Sequence, residues 1–117
     1  GITPSVVADQ TGRLTFASDL AAGIIHLLTS GAEFGTYNLS GDGPILSWAD
    51  IAKRVYESAG HSPDEVTAVT TEEYYAGQEG IAPRPLSSVL DLARIKATGF
   101  SPADSTERLN VYLQDLL

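Results

Sequence analysis

Two stretches of the chain carry apolar residues at helical spacing. The first predicts a helix that starts near Ser18, ends before Gly31 and presents one apolar stripe: Leu20, Ala21, Ile24, Ile25, Leu27 and Leu28. The second predicts a helix with Ser47 as N-cap, Asp50 as the acidic member of a capping box and Gly60 as C-terminal cap. Its buried stripe is expected to be Trp48, Ile51, Ala52, Val55 and Ala59.

The remaining elements are shorter. Runs of β-branched residues predict strands over residues 5–8, 36–39 and 66–70. Residues 71–77 predict one or two helical turns, and the glycines and prolines of residues 77–85 predict a loop of a length that is typical of functional loops. Asp91 is expected to cap a short helix that Gly99 ends, and a final helix is expected to open within residues 101–104.

Short strands that alternate with helices predict an α/β fold, here a small lobe with about four to five helices over residues 1–117. Three short strands are few for an independent sheet. The apolar face of residues 20–28 also needs a partner larger than the chain offers. A domain outside this sequence would explain both features.

Charge and composition narrow the class of protein. The 117 residues carry a formal charge of -8, from 15 acidic and 7 basic side chains, without a basic cluster for nucleic acid or an anionic membrane. Cysteine is absent, and two histidines could scarcely build a metal site. No apolar run is long enough to span a bilayer, and the N-terminus lacks the pattern of a signal peptide, so a cytoplasmic domain is expected.

Catalytic motifs are missing from the sequence. Gly41-Asp42-Gly43 follows a predicted strand, but Pro44 removes an amide that a pyrophosphate would need, so this segment is interpreted as a turn and not as a dinucleotide site. The Tyr-x-x-x-Lys pair of short-chain dehydrogenases is absent as well. We therefore assign no catalytic, cofactor-binding or metal-binding residue, and we expect the chain alone to be inactive.

Two polar stretches are candidates for binding. The turn of residues 9–12, Asp-Gln-Thr-Gly, offers groups that suit sugar hydroxyls, although an ordinary polar turn would look the same. Arg84 lies between two prolines, where a planar guanidinium suits bidentate contact with a diphosphate; the alternative is a surface arginine paired to a carboxylate. Ser88 can bind or cap.

Aromatic residues near the loop leave two options open. A ring of Tyr74 or Tyr75, beside Gln78, can stack on a base or pack against the core. His26 is interpreted as a core or interface histidine with its hydrogen bonds satisfied.

Three motifs in order give the chain a family resemblance. The pattern D-Q-x-G-x-P-T, an acidic residue and a Leu/Ala-rich helix is met by Asp9, Gln10, Gly12, Thr15, Asp19, Leu20 and Ala21, with Leu14 in place of the proline. A G-x-Y-x-L-S-G strand before a tryptophan-led helix is met by Gly35, Tyr37, Leu39, Ser40, Gly41 and Trp48. The pattern R-P-x-x-S-x-L-D is complete in Arg84, Pro85, Ser88, Leu90 and Asp91. The chain thus resembles the C-terminal part of dTDP-4-dehydrorhamnose reductases, in the extended short-chain dehydrogenase/reductase family.

The resemblance implies a substrate-binding domain that packs on its own N-terminal Rossmann domain, with a dTDP-sugar bound between the two. The whole enzyme would reduce dTDP-4-dehydro-L-rhamnose with NADPH to dTDP-L-rhamnose for polysaccharide. The ligand contacts are predicted at Gln10, Thr11, Gly12, Arg84 and Ser88. Some similar proteins form homodimers with Mg²⁺ held by acids at the interface, near the position of Asp115, and some are fused to the 3,5-epimerase.

Two other functions remain open. One is a non-catalytic regulatory subunit on the same scaffold, similar to the beta subunit of methionine adenosyltransferase. The other is a different sugar-nucleotide epimerase or dehydratase. The parent's upstream Tyr-x-x-x-Lys and the nucleotide sugar that it turns over distinguish these options.

Overall fold

The computed structural model describes residues 2–117, which form a small α/β structure with short strands. The strands are β1 (Ser5–Val7), β2 (Thr11–Gly12), β3 (Leu46–Ser47) and β4 (Thr67–Val69). The helices are α1 (Ala17–Thr29), α2 (Trp48–Ser58), α3 (Thr71–Tyr74), α4 (Ala93–Ala97) and α5 (Ser105–Leu116), and a 3-10 helix covers Pro63–Glu65. The predicted fold class and helix number are confirmed.

The chain divides into two compact units. Unit 1 contains residues 2–12, 45–88 and 113–117, and unit 2 contains residues 13–44 and 89–112. None of the helices within residues 2–117 has both the length and the apolar character that crossing a bilayer requires.

Unit 1 is built on two small strand pairs. Strands β1 and β4 are parallel, with Val6 opposite Ala68, and β2 and β3 are antiparallel, with Thr11 opposite Ser47. The capping box that begins α2 is present as predicted, because the Ser47 hydroxyl and the Asp50 carboxylate each accept the other residue's backbone N–H at 3.0 Å. The buried apolar residues of unit 1 include Val7, Ala49 and Val66.

Unit 2 gathers α1, α4 and most of α5 around Leu92, Ile95 and Leu109, all of them buried. Residues 41–43 are fixed by backbone contacts, since the Asp42 N–H donates to Ala103 and its carbonyl accepts from Ser105, both at 2.8 Å. The segment is not the predicted turn, because Asp42 forms an isolated parallel bridge with Asp104 and Gly43 lies in a bend. These bonds use the Asp42 amide inside the unit.

The structure corrects two predictions about the elements of unit 2. Residues 36–39 form no strand within the described chain, and the Thr36 carbonyl accepts from the Arg94 guanidinium at 2.8 Å instead of from a neighbouring strand. The final helix begins at Ser105 and not within residues 101–104, because the Asp104 carboxylate caps it by accepting from the N–H groups of Thr106 and Glu107.

Two further expectations about individual residues were wrong. Trp48 is 53% exposed and is not part of a buried stripe. Asp91 is not the N-cap of α4, which is Leu92 without a side-chain cap, although the Asp91 carboxylate accepts from the Ala93 N–H at 2.9 Å.

The apolar face of α1 is largely uncovered. Four of its apolar side chains have a large exposed fraction: Leu20 39%, Ile24 51%, Ile25 61% and Leu28 80%. A helix face of this kind in a stable protein is normally covered by another element. The exposure agrees with the apolar face expected from the sequence, and a partner that covers this face stays a prediction.

Candidate functional site

Thr11 connects the two stretches that the sequence singled out for binding. Its backbone N–H donates to the Leu86 carbonyl at 2.8 Å, and its carbonyl accepts from the Ser88 N–H at 2.8 Å. Its hydroxyl also donates to the Leu86 carbonyl at 3.3 Å. Residues 86–88 are therefore adjacent to Thr11 in space, although about 75 residues separate them from it in the sequence.

Gly12 continues this contact along the strand. A Cβ atom at Gly12 would lie 3.6 Å from the Cβ of Ser88, which is ordinary van der Waals contact. A glycine is therefore not sterically required at position 12 by its neighbours. Strand β2 pairs with β3, where Thr11 lies opposite Ser47. Thr11 also forms a parallel bridge with Ser87, so residues 86–88 add a third row to this small sheet.

Arg84 lies on the exposed loop just before this row. Between α3 and Ser87 the described chain forms neither helix nor strand, and residues 81–88 are all exposed. Arg84 has no hydrogen bond or ion pair with residues 2–117, so the alternative of an arginine paired to a carboxylate finds no support there. A guanidinium without a partner on the protein keeps all its donors for an anion.

Asp9 and Gln10 are bound to the first residue of α3. The Asp9 carboxylate accepts from the backbone N–H of Thr71 at 2.9 Å and from its hydroxyl at 2.6 Å. The Gln10 amide donates to the same hydroxyl at 3.2 Å. The Thr71 hydroxyl is the main cause that lowers the pKa of Asp9 below its usual value, because it donates to the charged form.

The structure thus brings together Thr11, Gly12 and Ser88, with Arg84 on the adjoining loop. Gln10 lies next to them, but its amide nitrogen is engaged with Thr71. Of the aromatic candidates, Tyr74 is 46% exposed, and this exposure does not fit a ring packed in the core. The centroids of the Tyr74 and Tyr75 rings lie 4.9 Å apart in an edge-to-face arrangement.

The remaining candidates have structural partners. His26 Nε2 lies 3.1 Å from the Thr98 carbonyl oxygen, which agrees with a satisfied histidine inside unit 2. Asp19, which follows the first motif, pairs with Arg108 at 3.0 Å. Both residues belong to unit 2, whereas Thr11 belongs to unit 1.

Sequence reasoning missed two residues. Thr71 appeared only as the start of a short helix, and nothing local signals its bonds to Asp9 and Gln10. In unit 2, the Nε of Arg13 donates to the Gly43 carbonyl at 2.8 Å and its Nη1 to the Leu90 carbonyl at 3.5 Å. The position of Arg13 directly after Gly12 was the one available hint.

The resemblance implies an interface Mg²⁺ held by acids near the position of Asp115. Within residues 2–117 there is no group of three or more His, Asp or Glu side chains that could hold a metal ion, and Asp115 is exposed. The donor set of this chain therefore does not fit an interface Mg²⁺ by itself.

Comparison with known proteins identifies the family to which the chain is similar. The family model described as RmlD substrate binding domain matches residues 3–117. The SpsK spore coat polysaccharide biosynthesis protein of Bacillus subtilis is 38% identical over 110 residues, which are 94% of this chain and 36% of that protein. The dTDP-4-dehydrorhamnose reductase of Aggregatibacter actinomycetemcomitans is 33% identical and is covered to the same 36%.

A solved structure agrees with these relatives. The dTDP-4-dehydrorhamnose reductase of Bacillus anthracis, in complex with NADP, superimposes with a TM-score of 0.74 and 32% identity over 97% of this chain and 38% of that one. The chain therefore spans little more than a third of the length of the proteins it matches. On the match over residues 3–117, the chain belongs to the RmlD substrate binding domain family.

Proposed function

We propose that this chain is the substrate-binding part of an NADPH-dependent dTDP-4-dehydrorhamnose reductase. In the proposed reaction the C4 ketone of dTDP-4-dehydro-L-rhamnose accepts a hydride and a proton, which gives the hydroxyl of dTDP-L-rhamnose and NADP⁺ in the cytoplasm. The observation that carries the proposal is the junction at Thr11, where two family motifs meet through 2.8 Å backbone bonds. The family match and the NADP complex of the Bacillus anthracis reductase support it.

The proposed contacts follow from the chemistry of the exposed groups. Arg84 is suited to the diphosphate, because its guanidinium has no partner among residues 2–117 and lies on an exposed loop. The hydroxyls of Thr11 and Ser88 and the open backbone at Gly12 are suited to sugar hydroxyls. Gln10 would reach the ligand through its amide oxygen, since its nitrogen is bound to Thr71.

The proton and the hydride would come from outside this chain. We propose a partner N-terminal Rossmann domain that binds NADPH and carries the Tyr-x-x-x-Lys pair. The exposed apolar face of α1 is the surface we assign to contact with this domain, because relatives of this chain extend over nearly three times its length. Burial of an exposed face such as Ile24, Ile25 and Leu28 would stabilise the pairing by removing apolar area from water.

Purification of the full-length parent tests the proposal. NADPH absorbance should fall when dTDP-4-dehydro-L-rhamnose is added and should stay constant when it is omitted. A parent that binds the nucleotide sugar but oxidises no NADPH would point to the regulatory-subunit alternative. A parent that acts only on another nucleotide sugar would point to a different epimerase or dehydratase.

A further inference from the structure

The segment from Asp9 to Thr11 holds both ends of the loop that carries Arg84. At the start of the loop, Asp9 and Gln10 bind Thr71, the first residue of α3. At its end, Thr11 binds Leu86 and Ser88 through backbone hydrogen bonds of 2.8 Å. Three consecutive residues therefore close the loop from opposite sides.

Helix α3 needs this attachment because it is very short. It contains four residues, Thr71–Tyr74, and a helix of this length has no stability of its own in water. Its capping box joins only neighbouring residues, Thr70 and Glu73, and both are exposed. Within residues 2–117, Asp9 and Gln10 supply the side-chain hydrogen bonds that reach α3 from a distant part of the sequence, more than sixty residues away.

The loop itself supplies few constraints. Residues 76–88 are exposed throughout, and Gly77 and Gly80 adopt positive φ with open space around them. A loop of this kind is ordered mainly through its ends, and each lost anchor adds conformations that must be given up on ligand binding. The position of Arg84 thus depends on the anchors at Thr71 and Thr11.

We propose that Asp9 and Thr71 are positioning residues for substrate binding, which act by fixing the start of the Arg84 loop. This inference rests on the proposed function. Asp9 and Thr71 bind each other, and the Gln10 amide binds Thr71 as well. These bonds fix the start of the loop without any contact between Asp9 or Thr71 and the ligand. Their effect on the substrate passes through the loop.

Kinetics of the full-length parent test the inference. Thr71→Val removes the hydroxyl that both Asp9 and Gln10 contact, and Asp9→Asn removes the charge of the acceptor. Each should raise KM for the nucleotide sugar about tenfold while kcat and KM for NADPH stay near wild type, as expected for lost preorganisation of the ground-state complex. Thr71→Ser keeps the hydroxyl and should restore KM to within about twofold of wild type.

Ser62→Ala is the matched control. The Ser62 hydroxyl accepts from the backbone N–H of Asp64 at 3.2 Å, so it caps the 3-10 helix of unit 1 and makes no hydrogen bond with residues 76–88. If Ser62→Ala raised KM as much as Thr71→Val, general destabilisation of unit 1 would explain the result and the inference would be wrong. Should Thr71→Val fail to fold, the Asp9→Asn and Thr71→Ser pair decides the question in the same assay.

The two proposals fail in different ways. A wild-type parent that neither binds nor reduces the nucleotide sugar contradicts the proposed function, and this inference with it. A wild-type parent that is active, beside Asp9→Asn and Thr71→Val variants with unchanged KM, contradicts the positioning role alone.

Discussion

The backbone N–H of Ser88 donates to the carbonyl oxygen of Thr11 at 2.8 Å. This bond joins an N-terminal turn to the end of a loop that lies far along the chain, and it places Gly12 beside Ser88. Since the loop also carries Arg84, one small surface of unit 1 offers hydroxyls, an open backbone and a cation. Such a combination suits a sugar linked to a diphosphate.

Arg84 is predicted to contribute to binding and not to the chemical step. In the full-length parent, Arg84→Ala should raise KM for the nucleotide sugar about tenfold or more with little change in kcat, since a ground-state contact to phosphate is lost. Arg84→Lys should recover only part of the loss, because an ammonium cannot make the bidentate contact. Steady-state kinetics on both variants provide the measurement.

Arg54→Ala serves as the control for the loss of one positive charge. Arg54 lies on α2 of the same unit, among the acidic side chains of Asp50, Glu57 and Asp64. Its replacement should leave KM within about twofold of wild type. Equal effects of the Arg54 and Arg84 changes would mean that net charge, and not a contact at Arg84, attracts the substrate.

Gly12 is predicted to be dispensable for folding but important for the ligand. The Cβ of Gly12→Ala would meet the Cβ of Ser88 at 3.6 Å, an ordinary contact, and the fold should keep its thermal midpoint within a few degrees. The added methyl group would occupy backbone surface that we assign to the substrate, so KM should rise. A large fall in thermal midpoint without a change in KM would contradict this assignment.

Gly41 is predicted to be essential for the packing of unit 2. A Cβ atom there would lie 2.2 Å from the Leu14 carbonyl oxygen and 2.9 Å from the Ser105 Cβ. Because backbone atoms cannot rotate away, Gly41→Ala should lower the free energy of unfolding by about 3 kcal/mol. Urea unfolding, with its midpoint compared at unchanged slope, measures this loss.

Gly23→Ala is the comparison for that prediction. Its Cβ would also lie 2.2 Å from an atom, but this atom is the end of the flexible Leu39 side chain. Rotation of Leu39 and the higher helix propensity of alanine within α1 should limit the net change to about 1 kcal/mol. If Gly23→Ala were as damaging as Gly41→Ala, the distinction between backbone and side-chain clashes would not hold here.

The Asp42 and Lys96 pair predicts an acid-sensitive contribution to stability. Lys96 Nζ lies 2.8 Å from the Asp42 carboxylate, and this bond, followed by the Gly43 N–H and the charge of Arg13, lowers the pKa of Asp42 in the folded chain. A lowered pKa means that the contribution is fully present above the unfolded value of about 3.9 and disappears as the pH falls through the folded value. Both side chains are partly exposed, so the effect should be small and should weaken in high salt.

Thermal unfolding of wild type and Asp42→Asn across acidic pH measures this contribution. The difference in midpoint should be greatest near neutral pH and should shrink toward zero in acid, because protonation of Asp42 makes the wild type resemble the variant. A difference that grows as the pH falls would contradict the assigned sign.

Local signals in the sequence predicted the elements that local interactions specify. The Ser47 and Asp50 capping box lies within one helical turn, so the start of α2 was predictable. Residues 36–39 have strand composition, but a strand also needs a neighbour to accept its backbone hydrogen bonds, and Arg94 occupies the Thr36 carbonyl instead. The exposed Trp48 shows that an apolar stripe in the sequence does not reveal whether the fold buries each of its residues.

The candidate site was predictable in its parts but not in its connections. Motif order indicated Gly12, Arg84 and Ser88, and the hydroxyl of Thr11 in the polar turn made it a further candidate for sugar contact. The bonds of Thr71 to Asp9 and Gln10 join residues more than sixty positions apart, and no periodicity records such a contact. Only the folded chain shows that one turn holds both ends of the loop.

Hydrogen exchange in the full-length parent tests the central claim most directly, which is that this chain binds the nucleotide sugar and not the cofactor. With dTDP added, the backbone amides of residues 9–12, of Arg84 and of residues 86–88 should exchange more slowly, while NADPH alone should leave them unchanged. Slower exchange of these segments with NADPH alone, and none with dTDP, would contradict the account.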